Sequence, residues 1–260
     1  MGILNVTPDS FSDGGRYFDA AAAIEHGLEL AAQGAAIVDV GGESTRPGAA
    51  GVGLGEELRR VVPVIEGLRA AGIDATISVD TSKLEVARAA LDAGATFVND
   101  VTAFRAAPAM AALVAERGVE CCLMHMQGEG TMQNDPLYGD LIGEVCAFLR
   151  ERVDFALDAG IARARIAVDP GFGFGKTVEH NLELLDRLNE LTALGQPILI
   201  GTSRKSFLGA LTGRGEHDRL AATIATNVIG LVRGASLFRV HDVAAVRDAL
   251  AVAAATVRER

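Results

Sequence analysis

The sequence has few of the residues that form disulfides or structural metal sites in small proteins. It has no tryptophan, two tyrosines and only three cysteines among 260 residues. Cys121 and Cys122 are adjacent in an apolar run, which is typical of buried thiols in a reducing cytoplasm rather than of disulfides. The five histidines are scattered and show no paired spacing of the kind that structural zinc sites require.

Positive charge is also scarce. The chain has 24 Lys and Arg against 34 Asp and Glu, a net charge of −10. Nucleic acids and anionic membranes need a basic surface, so neither is an expected partner. We find no signal-peptide pattern at the N-terminus, and the apolar run 220–232 contains Asn227 and is too short to span a membrane. We therefore expect a soluble, cytoplasmic protein.

Short apolar runs alternate with longer segments of helical period along the whole chain. The predicted strands are 2–6, 36–40, 76–80, 96–100, 119–125, 165–169, 197–201 and 236–240. The predicted helices are 19–33, 55–71, 83–93, 108–117, 140–159, 178–194, 216–233 and 242–258. A glycine follows most of these helices, where a left-handed C-cap is expected: Gly34, Gly72, Gly94, Gly118, Gly160, Gly195 and Gly234.

Apolar strands separated by amphipathic helices predict buried parallel strands joined by crossover helices. Eight such units, each of about 32 residues, fit a single-domain (β/α)8 TIM barrel covering residues 1–260. An open doubly wound sheet remains the alternative, because strand order cannot be read from the sequence.

Polar or glycine-rich sequence follows every predicted strand, whereas the opposite strand ends show no such pattern. In a TIM barrel the loops after the strands form the active site. One Asp at such a position is as readily the N-cap of the next helix. Eight polar strand ends together instead predict a single pocket at one mouth of the barrel.

These polar residues fall into two chemical groups. The first group offers donors that suit an anion, phosphate in particular: Thr45, Arg46, Ser203, Lys205, Arg239, His241 and the glycine backbones at 41, 42 and 201. The second group is Asp80, Asn99 and Asp169, which have neither a His partner for a triad nor the spacing of a metal cage. These three side chains suit the donor-rich edge of a flat heterocycle.

The segment VDPGFGFGKT, from Val168 to Thr177, is close to a phosphate-binding P-loop. That motif requires a glycine where Pro170 stands, so the match fails by one residue. We interpret Asp169 as the functional residue of the segment, and its glycines as allowing the following loop to pass close to a ligand.

The motifs together resemble the dihydropteroate synthases of bacterial folate synthesis. The resemblance runs in order along the whole chain through MGILNVTPDSFSDGG, DVGGESTRPGA, SVDTSK, VND, MHMQG, TMQ, DPGFGFGK, GTSRKSFLG and RVHDV. One departure is NDVTAFR, where the family more often has a small glycine-containing turn.

The resemblance implies condensation of 6-hydroxymethyl-7,8-dihydropterin diphosphate with 4-aminobenzoate, giving 7,8-dihydropteroate and diphosphate, with Mg²⁺ as cofactor. The implied pterin ligands are Asp80, Asn99, Asp169 and Lys205, and Gly201 is a further implied substrate-binding residue. Asn5 would meet the magnesium ion, and the diphosphate would be held by Thr45, Arg46, Arg239 and His241. The aminobenzoate would be bordered by Pro47, Phe174, Lys205 and Ser206. The residues closest to the chemistry would be Asp80, Lys205, Arg239 and His241.

The resemblance also implies a homodimer. Two alternatives remain at this stage. A methyltetrahydrofolate–corrinoid methyltransferase domain would share the barrel and the pterin pocket, but STRPG and RVHD speak against it. A non-catalytic pterin-binding paralogue is the alternative from another class of protein.

Overall fold

Eight short parallel strands carry the fold in the parts of the chain that the structure, a computed structural model, describes. These parts are residues 1–7, 19–44, 51–127 and 136–257. The strands are β1 (Gly2–Asn5), β2 (Ile37–Gly41), β3 (Thr76–Asp80), β4 (Phe97–Asp100), β5 (Glu120–Met124), β6 (Ile166–Asp169), β7 (Leu199–Ile200) and β8 (Leu237–Phe238). Each of the eight predicted strands is confirmed, although most are shorter than the apolar run that predicted them.

The sheet closes on itself. Strands β1 to β6 pair in chain order, and β7 pairs with β8, all in parallel. A parallel bridge between Val168 and Ile198 joins β6 to β7, and another between Gly2 and Val240 joins β8 to β1. This closure confirms the (β/α)8 barrel and excludes the open doubly wound sheet.

Helices follow the strands on the outside of the barrel. They are α1 (Ala20–Ala32), α2 (Leu54–Ala70), α3 (Leu84–Asp92), α4 (Ala109–Arg117), α5 (Leu141–Asp158), α6 (Val178–Asp186), α7 (Ser206–Thr212), α8 (Leu220–Val232) and α9 (Val243–Val257). The helix predicted over 178–194 divides into α6 and a 3₁₀ segment, Leu188–Leu194. Helix α7 was not predicted, because its seven residues are too few to show a period.

Side chains alternate along each strand between the helices and the barrel interior. Val38, Val40 and Ile77 belong to the main core that the helices cover. A separate buried cluster of Phe97, Cys122, Ala167 and Leu199 fills the lower interior. Cys121 and Cys122 are buried as predicted, and burial raises the pKa of the Cys121 thiol to about 12. The interior below the site is therefore filled by apolar side chains.

None of the helices within the described ranges is long and apolar enough to cross a membrane.

The seven predicted C-cap glycines all have positive φ, between 60° at Gly118 and 113° at Gly94. Gly72 isolates the backbone effect, because an added Cβ there would meet no atom within 4 Å while φ is 74°. Any cost of a side chain at this position must come from the left-handed conformation itself.

Gly72→Ala should therefore lower the free energy of unfolding by about 1 kcal/mol, and Gly72→Asn by less, because Asn tolerates this conformation. Urea denaturation of the three proteins measures the difference. An alanine variant as stable as the wild type would show that the left-handed turn is not maintained in solution.

Candidate active site

One cavity of about 340 Å³ opens at the C-terminal ends of the strands. Most of the predicted site residues that the structure describes line it: Asn5, Asp80, Asn99, Asp169, Phe174, Gly201, Ser203, Lys205, Ser206, Arg239 and His241. The predicted backbone donors Gly41 and Gly42 are not among its lining residues. Thr45, Arg46 and Pro47 lie outside the described residues. The strand ends thus bring the anion-type donors and the carboxylate and amide group to one place.

A buried ion-pair network forms the floor of the cavity. The Arg239 guanidinium donates from Nε to Asp39 Oδ2 at 2.6 Å and from Nη2 to Asp80 Oδ2 at 2.8 Å. Asp39 is fully buried and also accepts from Ser78 Oγ at 2.5 Å and Asn99 Nδ2 at 3.0 Å. One cation therefore holds two carboxylates, and through Asp39 it also orients the Asn99 amide.

Burial shifts the ionisation of this floor. It raises the pKa of Asp80 to about 7, against the opposing effect of the Arg239 charge. Burial alone would lower the pKa of Arg239, but Asp39 and Asp80 outweigh it and raise that pKa. Arg239 is therefore permanently charged, whereas Asp80 titrates in the neutral range.

Asp169 lies at the end of β6 and is also buried. Its Oδ1 accepts a hydrogen bond from the backbone N–H of Gly171 at 2.7 Å. Burial raises the pKa of Asp169 to about 6, while that N–H and the charges of Lys205 and Lys176 act to lower it. This carboxylate is held ready to accept hydrogen bonds from a ligand in the cavity.

Two cationic or ionisable side chains lie above the floor. The Lys205 ammonium sits 4.0 Å from the centroid of the Phe174 ring, in a cation–π contact. His241 Nδ1 is 2.9 Å from Ser203 Oγ, which also accepts from the His241 backbone N–H. The loops after β6, β7 and β8 thus support one another around the cavity.

Comparison with known proteins agrees with this geometry. Residues 1–241 match the profile of the family described as pterin binding enzyme. The dihydropteroate synthase of Mycobacterium leprae is 51% identical, covering 98% of this chain and 92% of its own length. That of Escherichia coli is 47% identical, covering 99% and 91%. The chain belongs to the dihydropteroate synthase family.

Solved structures of the family share the fold closely. The Xanthomonas albilineans dihydropteroate synthase with 4-aminobenzoic acid superposes with a TM-score of 0.92 at 51% identity, covering 98% of this chain and 91% of that one. A structure of the Xanthomonas albilineans enzyme in complex with 7,8-dihydropteroate gives a TM-score of 0.88 at 48% identity, covering 98% and 92%.

Sequence reasoning missed Asp39, Arg204 and Arg219. Asp39 could have been recognised from the sequence, because it is a charged residue in the middle of an otherwise apolar strand, where charged residues are rare unless paired. Arg204 and Arg219 both line the cavity. Arg204 binds Asp242 through Nε and Nη2 at 3.1 and 2.6 Å, and Arg219 donates to the Arg204 carbonyl at 2.9 Å. Both arginines hold the loop that carries Lys205.

The NDVTAFR turn, residues 99–105, keeps left-handed backbone without glycine. Ala103 and Phe104 have φ of 52° and 65°. The buried Asp100 carboxylate accepts from the N–H groups of Thr102 and Phe104 at 2.8 and 2.9 Å, and Arg152 donates to the Ala103 carbonyl at 2.8 Å. These bonds offset the strain of about 1–3 kcal/mol that such conformations carry.

Lys176, the residue that suggested a P-loop, is buried and faces its own loop. Its ammonium donates to the carbonyls of Gly171 and Phe174 at 3.0 and 3.2 Å and to His125 Nδ1 at 3.0 Å. A P-loop lysine reaches a phosphate instead. The segment is therefore a wall of the cavity, and Asp169 and Phe174 are its contributions to the site.

The raised pKa of Asp169 makes a stability prediction. In the folded protein the ionised form of Asp169 is disfavoured. The stability that the protonated side chain contributes is therefore fully present below the ordinary pKa of 3.8, and it is lost as pH rises through about 6. The free energy of unfolding of the wild type minus that of Asp169→Asn should fall by up to about 3 kcal/mol between about pH 4 and pH 7. Urea unfolding at several pH values measures it. A difference that is constant or increases with pH would contradict the assignment.

Proposed function

We propose that the protein condenses 6-hydroxymethyl-7,8-dihydropterin diphosphate with 4-aminobenzoate and releases diphosphate. The observation that carries this proposal is the pairing of two sets of groups in one cavity. Acceptors for a heterocycle edge line its floor, and Lys205, Arg239 and His241 supply cations or donors for an anion. The close relatives named dihydropteroate synthase favour this reaction over the corrinoid methyltransferase alternative.

We assign the pterin edge to Asp169, Asn99 and Asp80. Asn99 gives its Nδ2 to Asp39, so its Oδ1 is the atom left to accept from a ring N–H. Asp169 would accept from the ring N–H and the exocyclic amine of the pterin. Hydrogen bonds to a charged acceptor of this kind are worth about 1.5–3 kcal/mol each.

We assign the diphosphate to Arg239 and His241, joined by Thr45 and Arg46 from outside the described residues, and we assign Lys205 to the pterin. Arg239 uses Nε and Nη2 for carboxylates, so its Nη1 is the nitrogen assigned to the phosphates. The aminobenzoate is assigned to the wall formed by Phe174, Lys205 and Ser206, with Pro47.

The cavity also fits a magnesium ion that arrives with the diphosphate. Among the described residues no group of three or more His, Cys, Asp or Glu is placed to hold a metal. Asn5, at the end of β1, lines the cavity and offers one amide oxygen. Mg²⁺ commonly takes few protein ligands and completes its shell with substrate phosphates and water. When bound, it would neutralise charge on the leaving diphosphate.

The chain's own residues then assist a dissociative reaction. The bond between the pterin methylene carbon and the diphosphate oxygen breaks, the aryl nitrogen bonds to that carbon, and the nitrogen loses a proton. Lys205, Arg239 and His241 stabilise the charge that develops on the leaving oxygen. The buried carboxylates of Asp80 and Asp169 stabilise the positive charge that spreads over the pterin. We assign no general base.

The proposal is tested by mixing the purified protein with both substrates and Mg²⁺ and measuring diphosphate and dihydropteroate. Equal amounts of the two products, with little diphosphate when aminobenzoate is omitted, are expected. Pterin binding without product would instead support the non-catalytic paralogue.

His241→Ala should weaken binding of the pterin diphosphate by about tenfold or more, because a charge-assisted bond to a phosphate is lost. Binding of the corresponding pterin alcohol should change by less than about threefold, since it carries no anion. Calorimetry with both ligands measures the two affinities, and His26→Ala, on the exposed face of α1, is the control. Equal losses for both ligands would show that His241 does not hold the diphosphate.

We further propose that the protein is a cytoplasmic homodimer built on α8 and α9, which pack on each other. The buried face of α8 is formed by Thr223, Thr226, Asn227 and Gly230. Its apolar Ile229 and Val232 are instead 43% and 56% exposed, and Val252 of α9 is 70% exposed. An outer face of this kind is typical of a subunit interface rather than of a solvated helix.

Ile229→Asp should raise the dimer dissociation constant at least about tenfold, because it buries a charge in the interface. Sedimentation over a range of concentrations measures the constant, with Leu54→Asp at the start of α2 as the control. If the control variant dissociates as readily as Ile229→Asp, the interface lies elsewhere.

A further inference from the structure

The loop between β6 and α6 carries one wall of the cavity. Gly171, Gly173 and Gly175 all have positive φ, between 58° and 76°. Between them lie Phe172, which belongs to the core and stacks on Phe207, and Phe174; both rings line the cavity. A chain with three left-handed glycines has many other conformations available, so something must select this one.

Lys176 lies at the end of this loop and is 6% exposed. Its ammonium has three hydrogens and three acceptors, which are the carbonyls of Gly171 and Phe174 and the Nδ1 atom of His125. Those acceptors belong to the two ends of the glycine segment and to the residue after β5. One side chain thus fixes the loop to itself and to its neighbour.

Burial shifts the ionisation of both partners in the contact between Lys176 and His125. Burial lowers the pKa of His125 to about 3, so its ring is neutral and Nδ1 can accept. Burial lowers the pKa of Lys176 as well, to about 7, and the nearby Asp169 carboxylate opposes that shift. Asn181 supports the loop from behind by accepting from the Gly173 N–H at 2.7 Å.

The position of Phe174 matters because Lys205 packs on its ring at 4.0 Å. If the Phe174 carbonyl moved away from Lys176, the Phe174 ring would move too, and the Lys205 side chain that packs on it would move with it. The pterin-facing Asp169 is held mainly by β6, and only its bond from the Gly171 N–H connects it to the loop that Lys176 holds. The wall formed by Phe174 and Lys205 should therefore be more sensitive to Lys176 than the pterin edge is.

We propose that Lys176 is a positioning residue for the second substrate: it holds the 171–175 loop so that Phe174 and Lys205 form the aminobenzoate wall. The inference rests on the proposed function for the identity of that substrate. It assigns to the near-P-loop lysine a role through the loop rather than through phosphate.

The test compares wild type, Lys176→Met and His125→Phe, which removes one acceptor while keeping a ring against Phe148. Val86→Ala, on the buried face of α3, controls for a general loss of stability. KM for each substrate is measured separately, and hydrogen exchange of the peptide containing residues 170–177 reports the loop directly.

Lys176→Met should raise KM for aminobenzoate about tenfold or more and speed exchange in the loop, while KM for the pterin diphosphate stays within about threefold. His125→Phe should act in the same direction but more weakly, and Val86→Ala should change neither KM. If Lys176→Met does not fold, His125→Phe carries the test alone.

Unchanged KM values and exchange would overturn the proposal, and so would equal increases for both substrates, which would mean that Lys176 supports the whole site. A wild-type protein that forms no dihydropteroate would refute the proposed function instead. In that case exchange, together with binding of aminobenzoate measured calorimetrically in the presence of diphosphate and Mg²⁺, still decides whether Lys176 shapes this wall.

Discussion

A guanidinium buried between two carboxylates is the interaction on which the rest of the site depends. Arg239 comes from the end of β8, Asp39 from β2 and Asp80 from β3, so the contact crosses the barrel interior. Removing one partner of a buried ion pair costs about 3–5 kcal/mol, because the remaining charge has no compensation. Burial, assisted by the nearby charge of Asp39, keeps the pKa of Asp80 high against the opposing charge of Arg239. Under the proposed function, substrate recognition and the stability of the barrel rely on the same atoms.

Much of this could be read from the sequence because a TIM barrel converts linear order into position. The end of each strand is visible as the change from an apolar run to polar residues, and closure of the barrel brings those ends together. Asp80, Asn99 and Asp169 were predicted on that basis and line one cavity. Their roles with a ligand stay predictions. Asp39 was missed because it lies two residues before the end of β2, where alternation points it into the barrel interior.

Other features could not be read because they depend on contacts between distant segments. Ala103, Phe104 and Arg204 adopt left-handed conformations without glycine, with φ between 52° and 65°. Sequence patterns predict such turns from glycine, and here hydrogen bonds supply the stabilisation instead. The Arg204 backbone N–H is held by Thr223 of α8 at 3.1 Å and its side chain by Asp242. The conformation of Arg204 thus depends on residues that follow it by 19 and 38 positions.

Helix α8 has polar side chains on its buried inner face and apolar side chains on its exposed outer face. Its inner face presents Thr223, Thr226 and Asn227 to the β7 loop, where Thr202 Oγ1 meets Thr226 at 2.8 Å and Asn227 at 3.2 Å. Those contacts hold the segment that leads to Lys205, so the inner face of α8 positions that segment. Ile229 and Val232 are left on the outside, where in a monomer they would face water at a cost. If the outer face is the subunit interface proposed above, one helix joins subunit contact to the loop that carries the site's lysine.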